Sequence, residues 1–144
     1  MTSVKGEYTI NTDNEKLDIA FIHNYLSASY WAAQIPIATV GKAIEGSLCF
    51  GVYHGDKQVG FARMVTDKAT FAYLADVFID ENHRGLGLSK WLVATILAHP
   101  DMQGLRRMML ATRDAHGLYG QLGFTPLTNP ERWMQIHNPE VYTR

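Results

Sequence analysis

The spacing of apolar and polar positions divides the chain into a helical first third, a strand-rich middle and a mixed last third. Thr12-Asp13-Asn14-Glu15 has the form of a capping box, with Thr12 placed to accept from the backbone and Glu15 to reach back. Leu17, Phe21, Ile22, Tyr25 and Leu26 then give a broad apolar face at helical spacing, which predicts a helix running to about residue 30. Pro36 marks a break, and residues 37–45 read as a second, shorter helix. After Gly46 the period changes. Residues 48–53 are apolar and β-prone, His54-Gly55-Asp56-Lys57 supplies a turn, and residues 58–65 read as the antiparallel partner. A turn at Asp67-Lys68 leads into residues 70–79, a third strand rich in β-branched and aromatic side chains. Leu88, Trp91, Leu92, Thr95 and Ile96 return to helical spacing over residues 88–98, ending before Pro100. Residues 107–112 predict a strand and 115–122 a short helix closed by Gly123. A short first strand is expected over 7–10, and last strands at Phe124 and over 133–136. Two helices, a three-strand meander, then helix, strand, helix and strand describe a mixed α/β (α+β) layer fold. No linker or repeat interrupts it, so one domain over residues 1–144 is expected.

Composition narrows the function classes. Hydrophobic residues make up 47% and charged residues 19% of the 144 positions, enough apolar surface for a sizeable core. Thirteen Lys and Arg against fourteen Asp and Glu leave a formal net charge of -1, without the basic excess or stripe of a nucleic-acid binder. Cys49 is the single cysteine, which excludes an internal disulfide and a multi-cysteine zinc site, and no metal is expected. Residues 1–7 lack the apolar core of a signal peptide, and no apolar run approaches the roughly 20 residues that span a bilayer. A cytoplasmic protein with no membrane partner is the expectation.

The chemistry concentrates after the third strand of the meander. Residues 73–79 run into Asp80-Glu81-Asn82-His83-Arg84-Gly85-Leu86-Gly87, and a helix begins at once with Leu88-Ser89-Lys90. Amides at a helix start lack intrahelical partners, and with the helix dipole they make an anion site. Gly85 and Gly87 allow close backbone approach, while Arg84 and Lys90 add positive charge. The competing reading is a tight strand-to-helix turn with no ligand. A phosphate or pyrophosphate ligand is favoured by the strand-loop-helix context. A P-loop is excluded because Gly85-Leu86-Gly87-Leu88-Ser89-Lys90 lacks its pattern, and a dinucleotide fingerprint because Lys90 stands at its third glycine.

The strand end Asp76-Val77-Phe78-Ile79 followed by Asn82-His83-Arg84-Gly85-Leu86-Gly87 resembles the acyl-CoA-binding motif of the GNAT superfamily, the coenzyme-A-dependent N-acetyltransferases. Gly85 and Gly87 match the two small positions of its Gln/Arg-x-x-Gly-x-Gly/Ala pattern, and Asn82 departs at the first. Ala115-His116-Gly117-Leu118-Tyr119-Gly120-Gln121-Leu122-Gly123-Phe124 is similar to the superfamily's second motif, Ala-x-x-Leu-Tyr-x-x-x-Gly-Phe. Thr112 stands where an Asn is often found. The resemblance covers nearly the whole chain and implies a central, mostly antiparallel mixed sheet of about six to seven strands flanked by about four helices.

The resemblance also implies roles. Acetyl-CoA would be the co-substrate, with Val77, Phe78 and Ile79 near its acetyl carbonyl and pantetheine. Amides of Arg84, Gly85, Leu86, Gly87, Leu88, Ser89 and Lys90 would hold its pyrophosphate, and Thr112 would bond the pantetheine arm. Tyr119 is the candidate general acid for the departing thiolate, because a phenol of pKa about 10 stays protonated at neutral pH. Asp76 is the candidate base or water-orienting group, with His83 and His116 as alternative proton relays. Ser29-Tyr30-Trp31 and Arg63 are candidate acceptor contacts, and Arg106-Arg107 a solvated pair or an outlying phosphate contact. Cys49 has no implied acyl-carrying role, and His99 and His137 none. The expected activity is acetyl transfer to a primary amine of a small molecule or peptide by direct attack. The alternatives are a non-catalytic acyl-CoA-binding module and a pyrophosphate-binding protein for another nucleotide. The resemblance further admits a homodimer paired through late strands such as residues 133–136.

Overall fold

The computed structural model describes residues 1–143. Its centre is a six-stranded sheet in sequence order: β1 (Thr2–Lys5), β2 (Tyr8–Asn11), β3 (Leu48–His54), β4 (Lys57–Thr66), β5 (Phe71–Ile79) and β6 (Arg107–Met109). Every neighbouring pair is antiparallel except β5 and β6, which run parallel. Helices α1 (Ile19–Ser27) and α2 (Ile37–Glu45) cover one face, where Ile22, Leu26, Val40 and Ile44 pack with Cys49, Phe61 and Phe78. Helix α3 (Leu88–Ala98) covers the other, burying Leu88, Leu92, Val93 and Ile96 against Phe50, Val59 and Met64. The short α4 (His116–Gln121) adds Tyr119 to that second core. The mixed fold of about six strands and four helices is the one expected. No helix among the described residues is long and apolar enough to cross a membrane.

Three expectations are corrected. The capping box at Thr12 does not start the first long helix: Asp13 accepts from the Glu15 amide at 3.0 Å and caps only a 3-10 turn, Asn14–Lys16. Asp18 then accepts from the Phe21 amide at 3.0 Å, while its own amide donates to Gln58 at 2.7 Å, so α1 begins at Ile19. Two aspartate caps outcompete one threonine. The helix also ends before Tyr30, because the Ser29 hydroxyl donates back to the Leu26 carbonyl at 2.6 Å and accepts the Ala32 amide at 3.1 Å. That bend leaves Tyr30 and Trp31 on a loop.

The predicted strands at Phe124 and over 133–136 are absent. Pro130–Arg132 forms a 3-10 turn, and beyond it Met134 is 96% and Ile136 104% exposed with no strand beside them. A β-prone segment becomes a strand only where a partner edge receives it. Conversely, β1 went unpredicted because its four residues are mostly exposed and carry no apolar alternation. The third correction concerns β6, which stops at Met109 rather than reaching residue 112, and this shortening opens the cleft described below.

Gly60 pairs with Ile79 where β4 and β5 lie closest. A methyl group there would stand 2.6 Å from Ile79 Cδ1 and 3.0 Å from the Phe78 carbonyl oxygen. Gly60→Ala is therefore expected to destabilise the fold by about 1–3 kcal/mol, read as a lower midpoint in urea denaturation.

Candidate active site

Strand β5 carries one residue too many for its partner. Phe61 pairs with Phe78 but Arg63 pairs with Ala75, so Asp76 and Val77 together oppose Ala62. The bulge sets Asp76 at φ 57°, a left-handed conformation unusual for a residue with a side chain. On the other side β5 pairs with β6 only through Phe71, Ala72 and Tyr73. Beyond Tyr73 its β6-facing edge has no strand partner, and the chain after β6 diverges along the opposite wall. Between the two arms lies a cleft of ≈ 1300 Å³.

The cleft gathers much of the sequence-derived set. Asp76, Val77, Arg84, Thr112 and Tyr119 line it, as do Ser29, Tyr30, Trp31 and Arg63. Phe78 and Ile79 do not: both side chains are buried in the cores, Phe78 stacked on Tyr25 at 3.9 Å. Leu88 is likewise a core side chain, and Leu86 points to solvent.

Just past Arg84, where the cleft lining stops short of residues 85–90, the chain turns into α3 through Gly85 at φ 81° and Gly87 at φ 74°. No side chain caps the helix, and among the described residues no amide from position 85 to 90 donates to another group; the first intrahelical bond is from Trp91 to Gly87. Six consecutive unpartnered donors beside a helix dipole have the character of an anion-binding nest. The Arg84 amide lies outside this set, bonded to the Glu81 carbonyl at 3.4 Å. Its guanidinium is also tied down, donating to the Ile79 carbonyl at 3.0 Å and the Tyr25 hydroxyl at 2.9 Å. A cation that motif reading missed stands nearby: Lys5 Nζ, brought by the β1–β2 hairpin, is 3.6 Å from where a Gly87 side chain would begin. His83 bonds through Nδ1 to the Tyr8 hydroxyl at 2.9 Å.

Tyr119 sits on the opposite wall. Its ring is buried edge-on against Phe124 at 5.8 Å, while its hydroxyl has no hydrogen-bond partner among the described residues. Burial, with Tyr30 alongside, pushes its pKa above the usual value. Thr112 Oγ1 accepts from the Ala115 amide at 3.0 Å and so shapes the entry to α4, leaving its O–H to donate. His116 is exposed.

Asp76 is fully engaged: Oδ1 accepts from Trp31 Nε1 at 2.8 Å and Oδ2 from Arg63 Nε at 2.7 Å. Arg63 in turn donates to Ser47 Oγ at 3.0 Å. Behind this group Cys49 is buried, and desolvation pushes its thiol up to about 12. Away from the cleft, Arg107 stacks over Trp133 at 4.7 Å, and Arg106 and Arg107 line a separate hollow of ≈ 680 Å³. His99 caps a 3-10 turn by accepting the Asp101 amide. No group of His, Cys, Asp and Glu among the described residues has metal-site geometry.

Comparison with known proteins identifies the family. A profile of the acetyltransferase (GNAT) family matches residues 14–124. A candidate acetyltransferase of Gibberella zeae is 33% identical over 140 residues, covering 81% of this chain and 78% of that protein. The crystal structure of a candidate GNAT acetyltransferase from Xanthomonas campestris superposes with a TM-score of 0.93 at 51% identity, covering 95% of this chain and 97% of that one. A Mycobacterium tuberculosis protein solved in complex with CoA shares the fold at a TM-score of 0.65 and 19% identity, over 82% and 72% of the two chains. This chain belongs to the GNAT family of acetyltransferases and is an acyltransferase enzyme.

Proposed function

We propose that residues 1–144 act as a single N-acetyltransferase domain, moving the acetyl group of acetyl-CoA to a primary amine by direct attack. The observation that carries this reading is the unpartnered Tyr119 hydroxyl across the cleft from the unpaired edge of β5. The nest at residues 85–90, with Lys5 beside it, is suited to a pyrophosphate, and the open edge of β5 beyond Tyr73 offers backbone groups to a pantetheine arm and an acetyl carbonyl. The CoA complex of the Mycobacterium tuberculosis protein lends the coenzyme support at the level of the fold.

In this mechanism the amine nitrogen bonds to the thioester carbon, the carbon–sulfur bond breaks, and Tyr119 gives its phenolic proton to the leaving thiolate. The amine's own proton passes to water, and water returns one to the Tyr119 phenolate, leaving the amide and the free coenzyme A thiol as products. The raised pKa of Tyr119 keeps its donor in place at neutral pH and above, which is what a general acid requires. Direct attack, rather than passage through an acyl-cysteine, is supported by Cys49, whose sulfur is buried and whose thiol desolvation pushes up to about 12, away from the reactive thiolate.

Calorimetric titration with acetyl-CoA is expected to give saturable one-to-one binding of micromolar Kd or better, about -8 kcal/mol. Tyr119→Phe should lower kcat roughly a hundredfold and leave that affinity within about twofold. Binding without thiol release from any amine, unchanged in Tyr119→Phe, would instead describe a non-catalytic module. Cys49 in the native protein should resist Ellman's reagent until the chain unfolds, and Cys49→Ala should keep its turnover. The same reading includes a homodimer, supported by the exposed Met134 and Ile136. Light scattering should then give twice the 16.2 kDa chain mass, falling to the single mass in Ile136→Asp.

A further inference from the structure

The hydrogen bonds at Asp76 connect parts of the chain that are distant in sequence. Trp31, 45 residues away, belongs to the loop between α1 and α2, whereas Arg63 is on β4 and Ser47 precedes β3. The chain Trp31–Asp76–Arg63–Ser47 thus fastens that loop to the sheet at the bulge. The loop's other side reaches across the cleft, where the Tyr30 ring lies under the Arg113 guanidinium at 3.8 Å, on the arm that leads to Tyr119. Tyr30 and Trp31 meet edge to face at 5.2 Å and are 55% and 42% exposed, so together they roof the cleft without being buried in it. Tyr73, also exposed, lines the same cleft from β5.

Charge around this roof is compensated. Asp76 is paired with Arg63, and Arg113 lies 3.8 Å from Asp114. The cleft's two carboxylates without an ion pair among the described residues, Asp80 and Glu81, stand at the foot of the glycine loop. An acceptor meeting these walls finds aromatic faces, which favour flat apolar groups and cations, while the one guanidinium of the lining without an ion pair among the described residues, Arg84, is turned onto the Ile79 carbonyl and the Tyr25 hydroxyl at the glycine-loop end.

We propose that Tyr30 and Trp31 select the acceptor, that Asp76 is the positioning residue holding them over the cleft, and that the acceptor is a primary amine carried on a flat aromatic body. The proposal rests on the acetyltransferase reading. It assigns Asp76 no proton transfer: the carboxylate keeps both of its donors throughout turnover, and its loss acts through Trp31.

The test combines acetyl-CoA calorimetry with thiol-release kinetics on phenylethylamine, tryptamine, spermidine and glucosamine 6-phosphate. Wild-type protein is expected to favour the two arylalkylamines in kcat/KM by at least about tenfold. Asp76→Asn, which suits the left-handed conformation, and Trp31→Phe, which keeps a ring but loses the donor, should each raise the arylalkylamine KM roughly tenfold. The two changes together should cost no more than either alone, and the pH profile of kcat should keep its shape. A collapse of kcat in Asp76→Asn with loss of the acidic limb, and no effect of Trp31→Phe, would make Asp76 a base and overturn the assignment. Intact acetyl-CoA binding with spermidine or the sugar phosphate preferred, or with neither arylalkylamine turned over, would overturn the acceptor class. Absence of acetyl-CoA binding would strike the underlying reading instead, and the proposal with it.

Discussion

The bulge at Asp76 is the constraint from which the cleft follows. A regular β5 would continue alongside β6, and each added pair would close the space between the two arms. One additional residue kinks β5 at Asp76 and Val77, a little beyond the three residues that pair in parallel with β6, and there the arms separate. That bend requires a left-handed residue at position 76, a conformation in which most side chains are strained. Aspartate tolerates it better than most because its short polar side chain finds local partners, and here it finds Trp31 and Arg63. Backbone geometry and hydrogen bonding are therefore one arrangement: the partners that hold the loop also hold the kink.

The glycine loop next to the cleft uses a different resource. Nothing there depends on a formal charge in a fixed place, since Arg84 is turned back onto Ile79 and Tyr25. The six amides of residues 85–90 supply the field. Amides cannot be titrated away and need no rotamer to be frozen, so the site is preorganised by the backbone alone. Its cost is two glycines in left-handed conformations that a side chain would strain. Lys5 adds a mobile point charge from an otherwise unremarkable hairpin, which makes β1 part of the site and not merely an edge of the sheet.

What was legible in the sequence follows the range of the forces involved. Helices α2 and α3 match their expected bounds because periodicity, proline breaks and glycine turns are local signals. The glycine loop was legible for the same reason. Strand β1 was not, because an exposed polar strand is specified by its hairpin partner and not by its own pattern. The apolar run over 133–136 failed in the opposite sense: it has strand composition but no edge to join among the described residues. At the site, Asp76 and Trp31 could each be singled out, but not their contact across 45 positions. The early end of α1, forced by the Ser29 hydroxyl, was equally hidden, and it decides that Tyr30 and Trp31 face the cleft instead of lying along a helix.

The polar group behind the cleft bears on why such an arrangement persists. The side chains of Asp76 and Arg63 are only 10% and 20% exposed, next to a buried cysteine and the aromatic core under α1. Withdrawing a carboxylate and a guanidinium from water costs about as much as their attraction returns, so a hydrophobic pair would hold the sheet as well. What an apolar pair lacks is direction. Trp31 Nε1 needs an acceptor at one distance and angle, and Arg63 and Ser47 fix the carboxylate that provides it. The interaction is thus better understood as geometry than as stability: it sets the height of an aromatic roof over the cleft, and in the proposed reaction the shape of the acceptor admitted beneath it.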